Sequence, residues 1–174
     1  MSWEVVSCWI ESHPGLASWV QAFGSIAAII AAGYFPIAHE KAREGRDRRN
    51  ILRTLLYLAE PLENYLDKLS KALLETSYHN RWLFSDYSKK LHVIGKAIDE
   101  LPASIFVAFE VTLLTDLKFS YQCAVEADRY LQQVSPSDVG ALENKLRYRD
   151  MCETSISTVQ SIREALRGLI EANK

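Results

Sequence analysis

The hydrophobic pattern of the chain changes character near residue 50. Before that point, the run from Trp19 to Ile37 holds no residue that is charged at neutral pH. After it, apolar residues recur three or four positions apart through most of the chain. A helix over the first run rises about 28 Å, close to the roughly 30 Å of a bilayer's hydrocarbon core. The pattern therefore predicts one membrane-crossing helix followed by amphipathic helices.

Four amphipathic segments are predicted after residue 50, and none alternates with the period of a strand. Polar residues 76–80 end the first segment, and the second is predicted from Arg81 to Leu101. Pro102 fits the first turn of the third, and Ser135 is the predicted N-cap of the fourth. Their apolar stripes include Leu55, Leu62, Leu66 and Leu69; Phe84, Tyr87, Leu91, Ile94 and Ile98; Phe109, Leu113, Leu117 and Tyr121; and Leu142, Leu146, Val159, Ile162 and Leu166. The predicted fold class is all-α, with a transmembrane helix and an antiparallel bundle of about four helices.

The residues that flank the apolar run indicate how it would sit in a membrane. The predicted interface residues are Trp19, Tyr34, Phe35, Lys41, Arg43, Arg46, Arg48 and Arg49. Aromatic residues are enriched at membrane interfaces, and basic residues favour the cytoplasmic side. Because no Lys or Arg precedes the run, we expect a single-pass protein with its N-terminus outside and its C-terminal part in the cytoplasm. The alternative is the buried central helix of a soluble bundle.

Four regions follow from this interpretation. Residues 1–18 form an external segment in which Trp3, Val6 and Ile10 can share the apolar face of an interfacial helix. Residues 19–37 form the span, 38–50 a basic juxtamembrane linker, and 51–174 the cytoplasmic helical bundle. The basic linker is interpreted either as a topology signal or as a site for anionic lipid.

One face of the apolar run carries small and polar residues. On a helical wheel this face comprises Gln21, Gly24, Ser25, Ala28, Ala31 and Ala32. Gly24, Ala28 and Ala32 follow the spacing that lets membrane helices approach closely. Since the sequence contains a single apolar span, we expect a homo-oligomer, for which a tetramer is one expected stoichiometry. The alternative is a monomeric anchor rich in alanine.

Composition and motifs give no indication of an enzyme. The 174 residues carry a net charge of -2, so the overall charge does not indicate nucleic-acid binding. The four histidines form no HExxH or Glu-x-x-His motif, and no glycine-rich phosphate loop or GxSxG elbow is present. The three cysteines form no CxxC pair, so we expect free thiols, no cofactor, no metal and no catalytic residue.

An antiparallel bundle would gather several basic residues at the end farthest from the membrane. The candidate binding residues for an anionic ligand are Arg81, Lys89, Lys90, Arg129, Lys145, Arg147 and Arg149. Tyr78, Trp82 and Tyr148 lie near them in the predicted arrangement. Basic groups beside aromatic rings suit a nucleotide or single-stranded nucleic acid. The alternative is ordinary mixed surface charge, since Asp86, Asp138 and other acidic residues are close in the sequence.

The chain resembles small single-span proteins of bacterial prophages and phage-defence systems. The resemblance lies in the anchor SWVQAFGSIAAIIAAGYFPI, the basic residues that follow it and the helical domain. In general plan the chain is similar to membrane effectors of the Hailong type. The resemblance implies an inner-membrane protein that oligomerises, disrupts the membrane and is held inactive by a nucleic-acid signal until infection.

Two functions of different classes are therefore expected. In the first, an oligomeric effector forms a pore in abortive infection and is controlled through its cytoplasmic domain by a nucleic-acid or nucleotide ligand. In the second, the span is a tether, and the bundle is an adaptor that recruits a protein partner, for which a protein encoded beside it is a candidate. A third interpretation is that the chain is a holin-like prophage protein.

Overall fold

The computed structural model describes residues 14–138 and 140–172. These contain five α-helices, one short 3-10 helix and no strand. The helices are α1 (Pro14–Leu74), α2 (Thr76–Leu83), α3 (Tyr87–Asp99), α4 (Ala108–Gln133) and α5 (Leu142–Ala172), and the 3-10 helix is Ala103–Ile105. The predicted all-α class is confirmed. Residues 1–13 of the predicted external segment, which include Cys8, lie outside the described residues.

The protein divides into two compact units, with the boundary between Arg46 and Asp47. In the first unit, helix α1 contains the whole apolar run from Trp19 to Ile37. Residues 38–50, which were expected to form a linker, are helical throughout and belong to α1. The helix continues through Pro36 and Pro61, although neither proline can donate a backbone hydrogen bond.

The core of the second unit is built from the predicted stripe of α1 and the facing stripes of α3, α4 and α5. The predicted residues that prove buried include Leu55, Leu62, Leu66, Leu69, Leu91, Ile94, Ile98, Leu113, Leu117, Tyr121, Val159, Ile162 and Leu166. Helix α4 packs against both α3 and α5. The helical period of the sequence therefore identified most of the core correctly.

Four stripe residues were assigned wrongly to the core. Phe84, Phe109, Leu142 and Leu146 are exposed. Phe84 is 91% exposed because the predicted helix from Arg81 is interrupted: α2 ends at Leu83, and α3 begins only at Tyr87. The predicted break at residues 76–80 is itself the start of α2, and the chain turns instead at Glu75, whose backbone is extended.

The predicted starts of the last two long helices were also early. Pro102 precedes the 3-10 helix, and α4 begins after Val107, whose N–H donates to Glu110 Oε2 at 3.1 Å. Ser135 is not an N-cap, because α5 begins at Leu142. Before that helix, Asp138 Oδ1 accepts the Gly140 N–H at 2.9 Å, so the polar residues form a turn.

Candidate functional site

The apolar run of α1 lies at the surface of the protein. Trp19, Ile29 and Phe35 are 65%, 73% and 61% exposed, and Trp19 stacks on Phe23 with ring centroids 5.7 Å apart. The most apolar window of this helix has a mean hydropathy of 1.6, and none of it is buried inside the protein. Among the described residues, this is the one helix long and apolar enough to cross a membrane. A core helix of a soluble protein with this length and hydropathy would be mostly buried, whereas a signal sequence near the N-terminus shares both features.

The predicted small-residue face is exposed along the same helix. Gln21, Gly24, Ser25, Ala28 and Ala32 are exposed, and Ala31 is half-buried. Ser25 Oγ donates to the Gln21 carbonyl at 2.8 Å, so this hydroxyl is satisfied within its own helix. A Cβ added at Gly24 would meet no atom within 4 Å. The face can therefore accept another helix at close range, and oligomerisation along it stays a prediction.

Arg48, a predicted interface residue, contacts the helical domain. Tyr34, Lys41 and Arg46 are exposed, whereas the Arg48 side chain is 34% exposed and reaches the fully buried Glu110. Arg48 Nη2 donates to Glu110 Oε1 at 2.6 Å, and its Nε donates to the same oxygen at 3.0 Å. Arg48 therefore holds the start of α4 against α1. It has a structural role that its place in a basic run does not indicate.

The predicted anion-binding residues do not form one open cationic surface. Lys145 is buried, and its Nζ donates to the carbonyls of Ser135, Pro136 and Asp138 at 3.1–3.3 Å. Because those bonds use all three ammonium donors, Lys145 is a structural residue. The sequence alone does not reveal this role, because it depends on the backbone turn that precedes α5.

The remaining basic candidates differ in their surroundings. Lys89 pairs with Asp86 at 3.2 Å and Arg149 with Glu153 at 2.7 Å, so part of their charge is neutralised locally. Arg81 lies over the Tyr78 ring, 5.6 Å from its centroid. The other basic candidates, Lys90, Arg129 and Arg147, are exposed.

Trp82 is not an open platform for a base. It is 2% exposed, and its Nε1 donates to Asp128 Oδ1 at 2.7 Å. Ser88 Oγ and Gln132 Nε2 donate to the other Asp128 oxygen at 2.7 and 3.0 Å. Asp128 is buried, and these three donors satisfy its carboxylate. This network joins α2, α3 and α4 and has no group left over for a ligand.

A second buried polar group lies in α2. His79 is 2% exposed, and its Nε2 has no hydrogen-bond partner. Burial lowers the pKa of His79 below its ordinary value, and the charge of Lys145 lowers that pKa further. The imidazole is therefore neutral at physiological pH.

An open groove of about 570 Å³ runs along α4 and α5 in the second unit. Phe119, Cys123, Leu146 and Met151 line it, and Arg147 stands at it together with Glu143 and Asp150. Two carboxylates beside one guanidinium make this groove poorly suited to an anion. An apolar partner surface fits its lining better.

The described residues contain no group of three or more His, Cys, Asp and Glu side chains that could hold a metal ion. Cys123 and Cys152 are buried free thiols. Burial raises the pKa of the Cys152 thiol to about 12, so it is not an activated nucleophile. Comparison with known proteins gives no match to a family model, to a curated protein or to a solved structure.

Proposed function

We propose that this chain is a single-span protein of the bacterial inner membrane that assembles into a pore or membrane-disrupting effector. The single observation that carries the proposal is the exposure of the uncharged apolar run of α1. The helical second unit controls the assembly from the cytoplasmic side, and the N-terminus lies outside.

The energetic argument starts from the exposed side chains of that run. Trp19, Val20, Phe23, Ile26, Ile29, Ile30, Tyr34, Phe35 and Ile37 are each more than half exposed. Covering one such side chain fully is worth about 1.5–3 kcal/mol. Over the nine side chains, full burial is therefore worth about 14–27 kcal/mol, which is more than the 5–15 kcal/mol by which a domain is stable. A bilayer, together with other copies of the helix, provides that burial.

The weak apolarity of the run supports assembly over a solitary anchor. Its favourable residues contribute only about 2–4 kcal/mol on a membrane-insertion scale, and Gln21 and Ser25 oppose insertion. If the face of Gln21, Gly24 and Ala28 meets the same face of other copies, its polar groups leave the lipid. In this proposal the face lines a shared axis, and a tetramer is one stoichiometry that would enclose a narrow path.

The contacts of the second unit support a four-helix antiparallel bundle. Arg48 of α1 meets Glu110 of α4, and farther along Tyr65 meets Trp82, which binds Asp128 of α4. These helices therefore run in the same direction. Gln160 Nε2 of α5 donates to Glu63 of α1 at 2.8 Å, and Arg163 also pairs with Glu63. Arg163 also lies near Glu60, and α3 meets α4 at Ser88–Asp128 and at Asp99–Lys118. We therefore assign α3 and α5 to the opposite direction.

The role in phage defence rests on the resemblance in plan to Hailong-type effectors. A polyanionic regulator, either single-stranded nucleic acid or a nucleotide, would act on the exposed residues Arg81, Lys90 and Arg129. The structure leaves these three cations accessible, whereas Lys145 is bound to backbone carbonyls.

Expression in bacterial cells tests the proposal. Cells that produce the full chain without its regulator should lose membrane potential, as reported by a voltage-sensitive dye. The matched control carries a span of leucine and alanine in place of residues 19–37, which keeps the tether and removes the Gln21 face. Equal potential in both cultures, with both proteins in the membrane fraction, would contradict the effector.

A tethered adaptor is the second candidate, and the groove between α4 and α5 favours it. Its lining, with Phe119, Leu146 and Met151, suits an apolar helix of a protein partner. A partner that copurifies through this groove from cells that keep their potential would favour the adaptor. A holin-like protein would depolarise cells but would not need the second unit.

A further inference from the structure

A second apolar surface lies on the connection that leads into α4. Val107, Phe109 and Val111 are 49%, 55% and 38% exposed, while Phe106 beside them is buried. Pro102 and Ala108 are exposed as well. We call the five exposed residues the apolar tip: Pro102, Val107, Ala108, Phe109 and Val111. On the helix, Phe109 and Val111 flank Glu110 on either side, so the tip surrounds the beginning of α4.

The apolar tip is held firmly in one place. Glu110 is fully buried, accepts two hydrogen bonds from Arg48 on one of its oxygens, and accepts the Val107 N–H on the other. The first turn of α4 is thereby fixed to α1 at Arg48. Since a charged hydrogen-bonded pair of this kind is stronger than a neutral bond, the apolar side chains are not free to fold inward.

The position of Arg48 in the chain relates the tip to the bilayer. Only ten residues, 38–47, separate Arg48 from Ile37, where the apolar run ends. Residues 38–53 contain six basic and three acidic side chains. A basic stretch of this kind attracts the anionic cytoplasmic leaflet. Through the Arg48–Glu110 pair, the tip is held beside residues of this basic stretch.

We propose that the apolar tip docks onto the cytoplasmic surface of the same bilayer, among anionic lipid headgroups. Phe109 and the valines enter the boundary between headgroups and acyl chains, as apolar residues of interfacial segments do. The basic residues Arg46 and Arg53 contact the headgroups. Docking gives the second unit two attachments to the membrane, α1 and the tip. This inference rests on the proposed function, because it requires α1 to cross the membrane.

Site-directed spin labelling of the full chain tests this docking. Cys8 is replaced by Ser, and a nitroxide is attached after Phe109→Cys, or after Val111→Cys as a second variant. Cys123 and Cys152 are buried and should not take the label. The proteins are placed in vesicles of phosphatidylcholine and phosphatidylglycerol, and collisions of the label with oxygen and with a nickel chelate are compared. Oxygen concentrates in lipid, and the chelate stays in water.

The matched control is Phe119→Cys, a second exposed aromatic position farther along the same helix. We expect a higher oxygen-to-nickel ratio at 109 and 111 than at 119, and a lower ratio at 109 when phosphatidylglycerol is left out. Ratios at 109 and 111 as low as at 119 would overturn the inference. Spin–spin broadening at 109 that vanishes on dilution with unlabelled chain, with a low ratio, would assign the tip to a second copy and would also overturn it.

A label at Ile29→Cys separates this inference from the proposed function. An oxygen-rich label at 29 with a water-exposed label at 109 would overturn the docking and leave the span intact. A water-exposed label at 29 would overturn both.

Discussion

At the scale of single residues, the clearest gap between sequence and structure concerns polar side chains. Trp82 and Lys145 were both predicted to face a ligand, and both are buried with their donors satisfied. Their partners are far away in sequence or lie on the backbone of a turn. Helical periodicity identifies which face is apolar, but it does not reveal a hydrogen bond from Trp82 to Asp128. The burial of most apolar stripe residues was therefore predictable, and the positions of the polar side chains were not.

The buried His79 makes stability depend on pH. Burial lowers its pKa below the ordinary value of 6.5, so the unfolded chain takes up a proton more readily than the folded one. The free energy of unfolding should therefore fall as the pH drops below 6.5 and stop falling below the folded-state pKa. We expect this fall to be smaller in His79→Gln, as measured by denaturant titration of detergent-solubilised protein. His39→Gln, at an exposed position, is the control. An unchanged pH dependence in His79→Gln would contradict this role.

Gly95 is required by close packing in α3. A Cβ at this position would lie 1.9 Å from Tyr121 Cζ, so the tyrosine ring would have to move. Gly95→Ala should destabilise the protein by about 1–3 kcal/mol, the usual cost of overpacking. Gly45→Ala, where a Cβ meets nothing within 4 Å, should be neutral or stabilising by up to about 1 kcal/mol. Equal unfolding midpoints for the two variants would contradict the packing at Tyr121.

At the scale of elements, the sequence predicted the existence of the helices better than their ends. The stripe of α1 beyond residue 50 is confirmed through Leu66 and Leu69. The single predicted helix from Arg81 is instead two helices with a turn at residues 84–86. That turn is set by Trp82, which enters the core and leaves Phe84 outside. Tertiary packing therefore overrides the local period there.

The Arg48–Glu110 pair is expected to hold α4 in place. Arg48→Ala leaves a buried carboxylate without its main partner, so it should destabilise the second unit by about 2–3 kcal/mol. Hydrogen exchange should also become faster at the start of α4. Arg53→Ala, which removes an exposed arginine from the same helix, should change neither measurement. Identical exchange in both variants would show that the pair is not needed.

The small-residue face of α1 is tested by crosslinking in membranes. In a chain with Cys8 replaced by Ser, Ala28→Cys should form disulfide-linked dimers on oxidation, because this face is predicted to meet its own copy. Ile30→Cys, on the opposite face of the wheel, is the matched control and should stay monomeric. If neither position crosslinks, or both do equally, the predicted interface is wrong.

At the scale of the whole molecule, charge and periodicity predict an apolar helical segment followed by a helical domain. In the structure the boundary between the two compact units lies between Arg46 and Asp47, within the residues that were predicted to form a linker. The apolar tip could not be predicted, since Phe109 has the spacing of a core residue but is exposed in the first turn of α4, which begins at Ala108. Local spacing cannot locate a helix start that Glu110 and Arg48 determine together.

The most direct test of the central claim is alkaline extraction of membranes from cells that express the full chain. We expect the protein to stay in the membrane pellet, because α1 crosses the bilayer. Ile29→Lys should move it to the supernatant, since a lysine at the centre of the span costs about 2.5–3.5 kcal/mol and the span itself gains only about 2–4. Tyr57→Lys, at an exposed position outside the run, should stay in the pellet. Recovery of the unaltered protein in the supernatant would contradict the account.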